Sequence, residues 1–243
     1  MALDETVRVP LGDTTMRASL ALPEHAGVGE AGAWPAVIVV HELLGLNDDV
    51  RRITRRFADA GYAALAPDLF DGLGPKPICI MRTIRAYSHG GGRALAALEA
   101  ARSSLSERSD VDGSRIGVAG FCMGGGFALL LGRHPEVGAA AAFYGDVPDD
   151  VEGICPVVSG YGGRDRVFGG NGSRLAGRLD ELGVDHDIVT YPDAGHSFMS
   201  HHRGVTAALA SLSPLRGGHD EAAAEDSWTR MLAFFAEHLA ASK

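Results

Sequence analysis

Apolar positions along the chain recur with two different periods, and their alternation sets out an ordered series of strands and helices. Val7-Arg-Val-Pro-Leu-Gly-Asp and Thr15-Met-Arg-Ala-Ser-Leu-Ala-Leu alternate apolar with polar residues on either side of Gly12-Asp13, which predicts an opening β-hairpin. Glu24 to Trp34, rich in Gly and Ala, reads as a loop. Ala36-Val-Ile-Val-Val-His41 is a continuous apolar run, as expected of a strand covered on both faces. A helix capped by Asp48 or Asp49 follows through Ala60 and stops at Gly61. Tyr62 to Asp68 is the next strand, and residues 69–80, with several Gly and Pro, read as irregular. Further strands are expected at 115–120, 139–144, 156–161 and 186–191, with helices over much of 90–107, 123–133 and 171–182. A last helix from Asp226 to Ala240 puts Trp228, Met231, Leu232, Phe235 and Leu239 on one face.

Strand and helix alternate throughout, without repeats, low-complexity tracts or a linker. This predicts an α/β fold: a doubly wound, mostly parallel sheet with helices on both faces, in one domain spanning 1–243. Ligands in such sheets bind beyond the carboxyl ends of the strands, so the residues that follow each strand carry the functional question.

Composition narrows the classes. Of 243 residues, 46% are hydrophobic and 22% charged, which is ordinary for a globular protein. Twenty-two basic against 31 acidic residues give a net charge of −9, which argues against a nucleic-acid partner. Three cysteines without disulfide-like spacing fit a reducing cytoplasm. Met1-Ala-Leu-Asp-Glu has no basic segment or long apolar run, so no signal peptide is expected. No stretch approaches the roughly 18 uninterrupted apolar residues of a membrane span, so no membrane partner is expected.

The most specific chemistry lies in Gly117-Val-Ala-Gly-Phe-Cys122-Met-Gly-Gly-Gly126, a strand running into a glycine-rich turn and a helix, with cysteine at the apex. The frame Gly120-x-Cys122-x-Gly124 resembles the nucleophile elbow of α/β-hydrolases with cysteine in place of serine. Such a turn lifts the sulfur clear of the sheet and leaves the Met123 amide at a helix N-terminus, facing a developing oxyanion. Asp165 follows the strand at 156–161, and His196 follows the strand at 186–191, within Asp193-Ala-Gly-His-Ser-Phe-Met. Nucleophile, acid and base therefore come in the order found in α/β-hydrolases. A thiolate attacks an acyl carbon, an imidazole moves the proton, and a carboxylate fixes the imidazole tautomer. Asp193 and Asp146 compete for the acid role. After the strand at 36–41, His41-Glu42-Leu43-Leu44-Gly45 supplies a second oxyanion amide, at Leu43, and places the carboxylate of Glu42 beside the nucleophile.

Five segments, at 41–47, 61–70, 120–126, 162–165 and 195–198, resemble the dienelactone hydrolase family in the same order and over most of the chain. The resemblance implies an α/β-hydrolase fold and a carboxylic ester hydrolase that works without a cofactor. It also implies a triad of Cys122, Asp165 and His196, with oxyanion amides from Leu43 and Met123. Glu42 matches the family carboxylate that pairs with the resting cysteine. The best-known members carry an arginine four residues after the catalytic histidine to hold a substrate carboxylate, and here that position is Ser200. Arg82, Arg85 or Arg203 could hold an anionic group instead, so the expected substrate is a small ester or lactone bearing a negative charge. Alternatives are a general carboxylesterase or thioesterase, and a non-catalytic thiol sensor or binding module on the same fold. His196, His201 and His202 have no carboxylate or cysteine at ligand spacing, so no metal is expected. Cys79 and Cys155, in apolar surroundings, read as packing residues. The sequence carries no signal for oligomeric state.

Overall fold

The computed structural model describes residues 2, 4–24, 33–74, 76–87, 90–201 and 212–241. The chain opens with the hairpin β1 (Asp4–Leu11) and β2 (Thr14–Ala21), followed by β3 (Trp34–Val40), α1 (Asp48–Asp59), β4 (Ala63–Pro67), α2 (Lys76–Tyr87) and α3 (Gly92–Ser106). The second half holds β5 (Val111–Phe121), α4 (Met123–Leu131), β6 (Ala139–Phe143), β7 (Val157–Gly162), α5 (Asn171–Leu182), β8 (His186–Tyr191) and α6 (Glu221–His238). The strands form one eight-stranded sheet in the order β1-β2-β4-β3-β5-β6-β7-β8. β2 is antiparallel to β1 and β4, and every pairing from β4 through to β8 is parallel.

The apolar run of β3 is uniform because both of its faces are covered. Ala36, Ile38 and Val40 enter one core with α3 and α4, while Val37 and Val39 enter another with α1 and α6. β5 divides the same way, with Ile116 and Val118 on one side and Ala119 and Phe121 on the other. Leu175 and Leu179 of α5 pack with Val157 and Ala142 in a third cluster. The aromatic residues of α6 meet α1: Phe57 lies 4.8 Å from Trp228, and the Arg56 guanidinium sits 4.2 Å above the Trp228 ring. No described helix is long and apolar enough to cross a membrane.

Several boundaries differ from the sequence reading. Residues 76–87 form α2 although 69–80 were expected to be irregular. Pro77 falls in the first turn, where a missing backbone N–H is tolerated. The α1 cap is Asn47, whose side chain accepts from Val50 N at 3.0 Å, and Asp48 and Asp49 lie in the first turn, favourably placed against the helix dipole. Trp34 joins β3, and 25–32 of the expected loop lie outside the described residues. β5 begins at Val111, ahead of the expected start. α6 begins at Glu221 because Asp220 caps it, accepting from Ala223 N at 3.1 Å.

The register brings the carboxyl ends of the parallel strands level. Val40 pairs with Gly120, Phe121 with Phe143, Phe143 with Gly160, and Gly162 with Tyr191. The loops carrying Glu42, Cys122, Tyr144, Asp165 and His196 therefore leave the sheet along one edge.

Candidate active site

Cys122 is the whole turn between β5 and α4, at φ 55 and ψ −120. A side chain in that region of backbone space costs on the order of 1–3 kcal/mol and persists only where the surroundings enforce it. Here Cys122 N donates to Phe143 O at 3.0 Å, and Gly125 N donates to Cys122 O at 2.9 Å. The flanking glycines are demanded by close backbone approach. A Cβ on Gly120 would lie 1.9 Å from Gly124 O, and one on Gly124 would lie 2.3 Å from Val40 O.

Asp165 and His196 meet behind this turn. His196 Nδ1 donates to Asp165 Oδ2 at 2.6 Å, in a buried pair. The other carboxylate oxygen accepts from Val167 N at 2.9 Å and Phe168 N at 3.0 Å, which fixes the rotation of the carboxylate. The imidazole lies between Tyr144 and Phe168, with ring centroids 5.2 and 5.3 Å away. Burial works against its charged form, but the Asp165 hydrogen bond and the sulfur of Cys122 outweigh it and raise its pKa to about 10. Nε2, the nitrogen not bonded to Asp165, is buried. Cys122 raises the pKa of the ring both by hydrogen bonding and by charge. Of the competing carboxylates, Asp193 is exposed and Asp146 pairs with Arg174 at 3.7 Å.

A second buried network reaches the site from the far side. Ser200 Oγ donates to Glu42 Oε1 at 2.6 Å, and the Tyr144 hydroxyl lies 3.0 Å from the same Oγ. Ser200 has one proton and gives it to Glu42, so Tyr144 must donate to Ser200. Tyr144 is suited to that role, because burial first and then the charge of Glu42 hold its phenol well above the ordinary pKa. Ser200 is thereby turned inward onto Glu42.

Cys122 and His196 open into a cavity of about 220 Å3 lined by Leu43, Ile84, Tyr87, Met123, Phe168 and Leu215, with Asp146 the one carboxylate among its lining residues. Met123 is the first residue of α4, so its amide has no acceptor within the helix. Arg82 and Arg85 are exposed on α2 and do not line this cavity, and Arg203 lies outside the described residues. Tyr87, Tyr144, Ile84, Phe168 and Leu215 carried no sequence signal of their own. The first and third sit on the helix that the Gly and Pro residues concealed. Among the described residues, one group has metal-ligand spacing. Asp185, Glu237 and His238 hold their ligand atoms within 4.8 Å of one another at the amino end of β8, opposite the cavity.

Residues 16–239 match the dienelactone hydrolase family. The chain belongs to that family. A provisionally named carboxymethylenebutenolidase of Salmonella typhimurium is 32% identical over 228 residues, covering 85% of this chain and 78% of that one. Among solved structures, a dienelactone hydrolase-like promiscuous phosphotriesterase from metagenomic libraries is similar with a TM-score of 0.79 and 27% identity, over 98% of both chains. A provisionally named dienelactone hydrolase of Klebsiella pneumoniae reaches a TM-score of 0.78 at 28% identity, covering 98% of this chain and 99% of that one.

This dienelactone hydrolase family member is a carboxylic ester hydrolase acting on a small molecule. Its three cysteines sit in different surroundings, which gives a direct test of the site. Burial pushes the Cys155 thiol up to about 12. Cys79 is buried with its sulfur 3.2 Å from Gly74 O. Cys122 opens on the cavity. Near pH 8, a thiol with a pKa of about 12 is ionised to roughly one part in 10⁴. Iodoacetamide should therefore label Cys122 at least about tenfold faster than Cys79 or Cys155, as read by peptide mass mapping. Equal labelling of the three would remove Cys122 as the reactive thiol.

Proposed function

We propose that the chain cleaves a small ester or lactone by nucleophilic catalysis from Cys122, through an acyl-thioester, and that a neutral, apolar substrate suits it best. The observation that carries this reading is the arrangement around His196. Asp165 holds Nδ1 at 2.6 Å, which leaves Nε2 for the substrate side, in a cavity shared with a sulfur lifted on its own turn.

In the first half-reaction the proton of Cys122 passes to His196, the thiolate bonds to the acyl carbon, and the carbonyl π electrons move onto oxygen. That oxygen is received by the amides of Leu43 and Met123. A single preorganised donor of this kind is typically worth about 10²–10³ in rate. Collapse breaks the ester C–O bond, and His196 gives its proton to the departing oxygen. In the second, His196 takes a proton from water, the hydroxide adds to the thioester, and Cys122 leaves as thiolate. Nucleophile, base, acid and oxyanion donors all come from this chain. Glu42, held by Ser200, matches the family carboxylate that pairs with the resting cysteine.

Cavity chemistry favours the neutral substrate. The walls are aliphatic and aromatic, and a carboxylate rather than a guanidinium stands at the side. The anionic substrate expected from sequence rested on arginines, and the two that are described lie off the cavity. A neutral aryl butyrate should then exceed an anionic lactone of similar size in kcat/KM by at least about tenfold. An acid-stopped reaction should carry the acyl mass on the peptide holding Cys122. A preference for the anionic lactone would sink the substrate class, and turnover without any acyl adduct would sink the thioester.

A further inference from the structure

We propose that His41 is a positioning residue that aims the Leu43 amide at the carbonyl oxygen of the substrate. This rests on the reading of Leu43 as an oxyanion donor. His41 is the first residue beyond β3 and is completely buried. Its Nδ1 lies 2.7 Å from the Glu42 carbonyl oxygen, and its Nε2 lies 3.0 Å from the Leu69 amide nitrogen. An amide N–H can only donate, so Nε2 accepts. A carbonyl oxygen can only accept, so Nδ1 carries the hydrogen. Two backbone groups thus fix the tautomer of a neutral ring. Asp68 Oδ1, 4.0 Å from Nε2, draws towards the cation, but a proton on Nε2 would face the Leu69 N–H. Burial prevails and holds the imidazole pKa below its ordinary value.

The consequence lies in the next peptide plane. The Glu42 carbonyl and the Leu43 N–H belong to one trans peptide, so they point in opposite directions. The same carbonyl oxygen also accepts from Gly45 N at 3.0 Å. With both donors in place, rotating this plane breaks two hydrogen bonds, one of them fully buried. The Leu43 amide is held facing away from His41, and Leu43 lines the cavity beside Cys122 and Met123. His41 also ties this loop to the one after β4, through Leu69 and through its ring on Phe70 at 4.9 Å.

Two substitutions separate the two nitrogens. In His41→Asn the side-chain amide nitrogen reaches the place of Nδ1, keeping a donor for Glu42 and losing the acceptor for Leu69. In His41→Gln the terminal group reaches the place of Nε2, keeping the acceptor and losing the donor. His41→Gln should lower kcat for a neutral ester by about 10²-fold, with KM within about threefold of the parent. His41→Asn should recover at least about tenfold of that loss. Alkylation of Cys122 by iodoacetamide forms no oxyanion, so its rate should stay within about twofold of the parent in both variants. Equal kcat in parent and His41→Gln, equal loss in both variants, or alkylation falling in step with kcat would each overturn the inference. The reading of the site fails separately, when the parent shows no ester turnover dependent on Cys122, and this inference then fails with it.

Discussion

Cys122→Ala is expected to lower kcat/KM for a neutral ester by about 10⁴-fold or more, while the urea midpoint of unfolding stays close to the parent's. The loss is large because Cys122 is the proposed nucleophile, held on its own turn in the cavity that it shares with His196. What remains would be rate assistance from the oxyanion amides and from binding, about 10³-fold over water in comparable sites. Stability should hold because the turn depends on backbone rather than on sulfur. The Cys122 N and O bonds to Phe143 and Gly125 survive in alanine, and so do the close approaches at Gly120 and Gly124. Alanine tolerates φ 55 about as poorly as cysteine does, so the strain is unchanged. A change within about 1 kcal/mol is therefore expected. Steady-state rates on the neutral aryl ester, with denaturation followed in parallel, decide the matter. Turnover within about tenfold of the parent would remove Cys122 as nucleophile.

The parts of the site that were legible in sequence are those whose chemistry is local. The elbow announces itself because only glycine fits at 120 and 124, where backbone passes backbone. Asp165 and His196 follow strands whose apolar runs are plain, and α5 and β8 begin and end where their patterns predict. Non-local parts were hidden. Ser200 stood out as a departure from the family pattern, but its bond to Glu42, 158 residues away, depends on how two loops fold over each other. Tyr144 gave no sign that its hydroxyl would close that network. His41 was read as the end of a strand, since nothing in the sequence places Leu69 against its ring. α2 was lost because Gly72, Gly74, Pro75 and Pro77 mark a break, and the helix begins within the break. Losing α2 also hid Ile84 and Tyr87, and left Arg82 and Arg85 as nearby cations when they stand exposed on that helix. The expectation of an anionic substrate rested on these two together with Arg203, which lies outside the described residues, and on the absence of an arginine at Ser200.

Asp165→Asn should cost about 10⁴-fold in kcat with little change in fold, because the replacement reverses the imidazole tautomer. Oδ1 of Asp165 is pinned by the amides of Val167 and Phe168, which can only donate. In the variant the carbonyl oxygen of asparagine must keep that position, and its NH2 group then faces His196 Nδ1. Two donors cannot share the 2.6 Å contact, so Nδ1 loses its hydrogen, accepts, and sends the proton to Nε2. A neutral ring in that form cannot take the proton released at Cys122. The same substitution should flatten the dependence of stability on pH. The folded-state pKa of His196 is raised to about 10 from an ordinary value of 6.5, with Asp165 the first of the groups that raise it against burial. Below pH 6.5 the folded and unfolded states both hold the proton, and the stabilisation is fully present. Between 6.5 and about 10 the folded state binds more protons than the unfolded one, so stability falls as pH rises through this window. The parent should show that decline in urea midpoints measured across the window, and Asp165→Asn should show clearly less of it. Equal slopes in the two proteins, or a kcat within about tenfold of the parent, would mean that Asp165 neither charges nor orients His196.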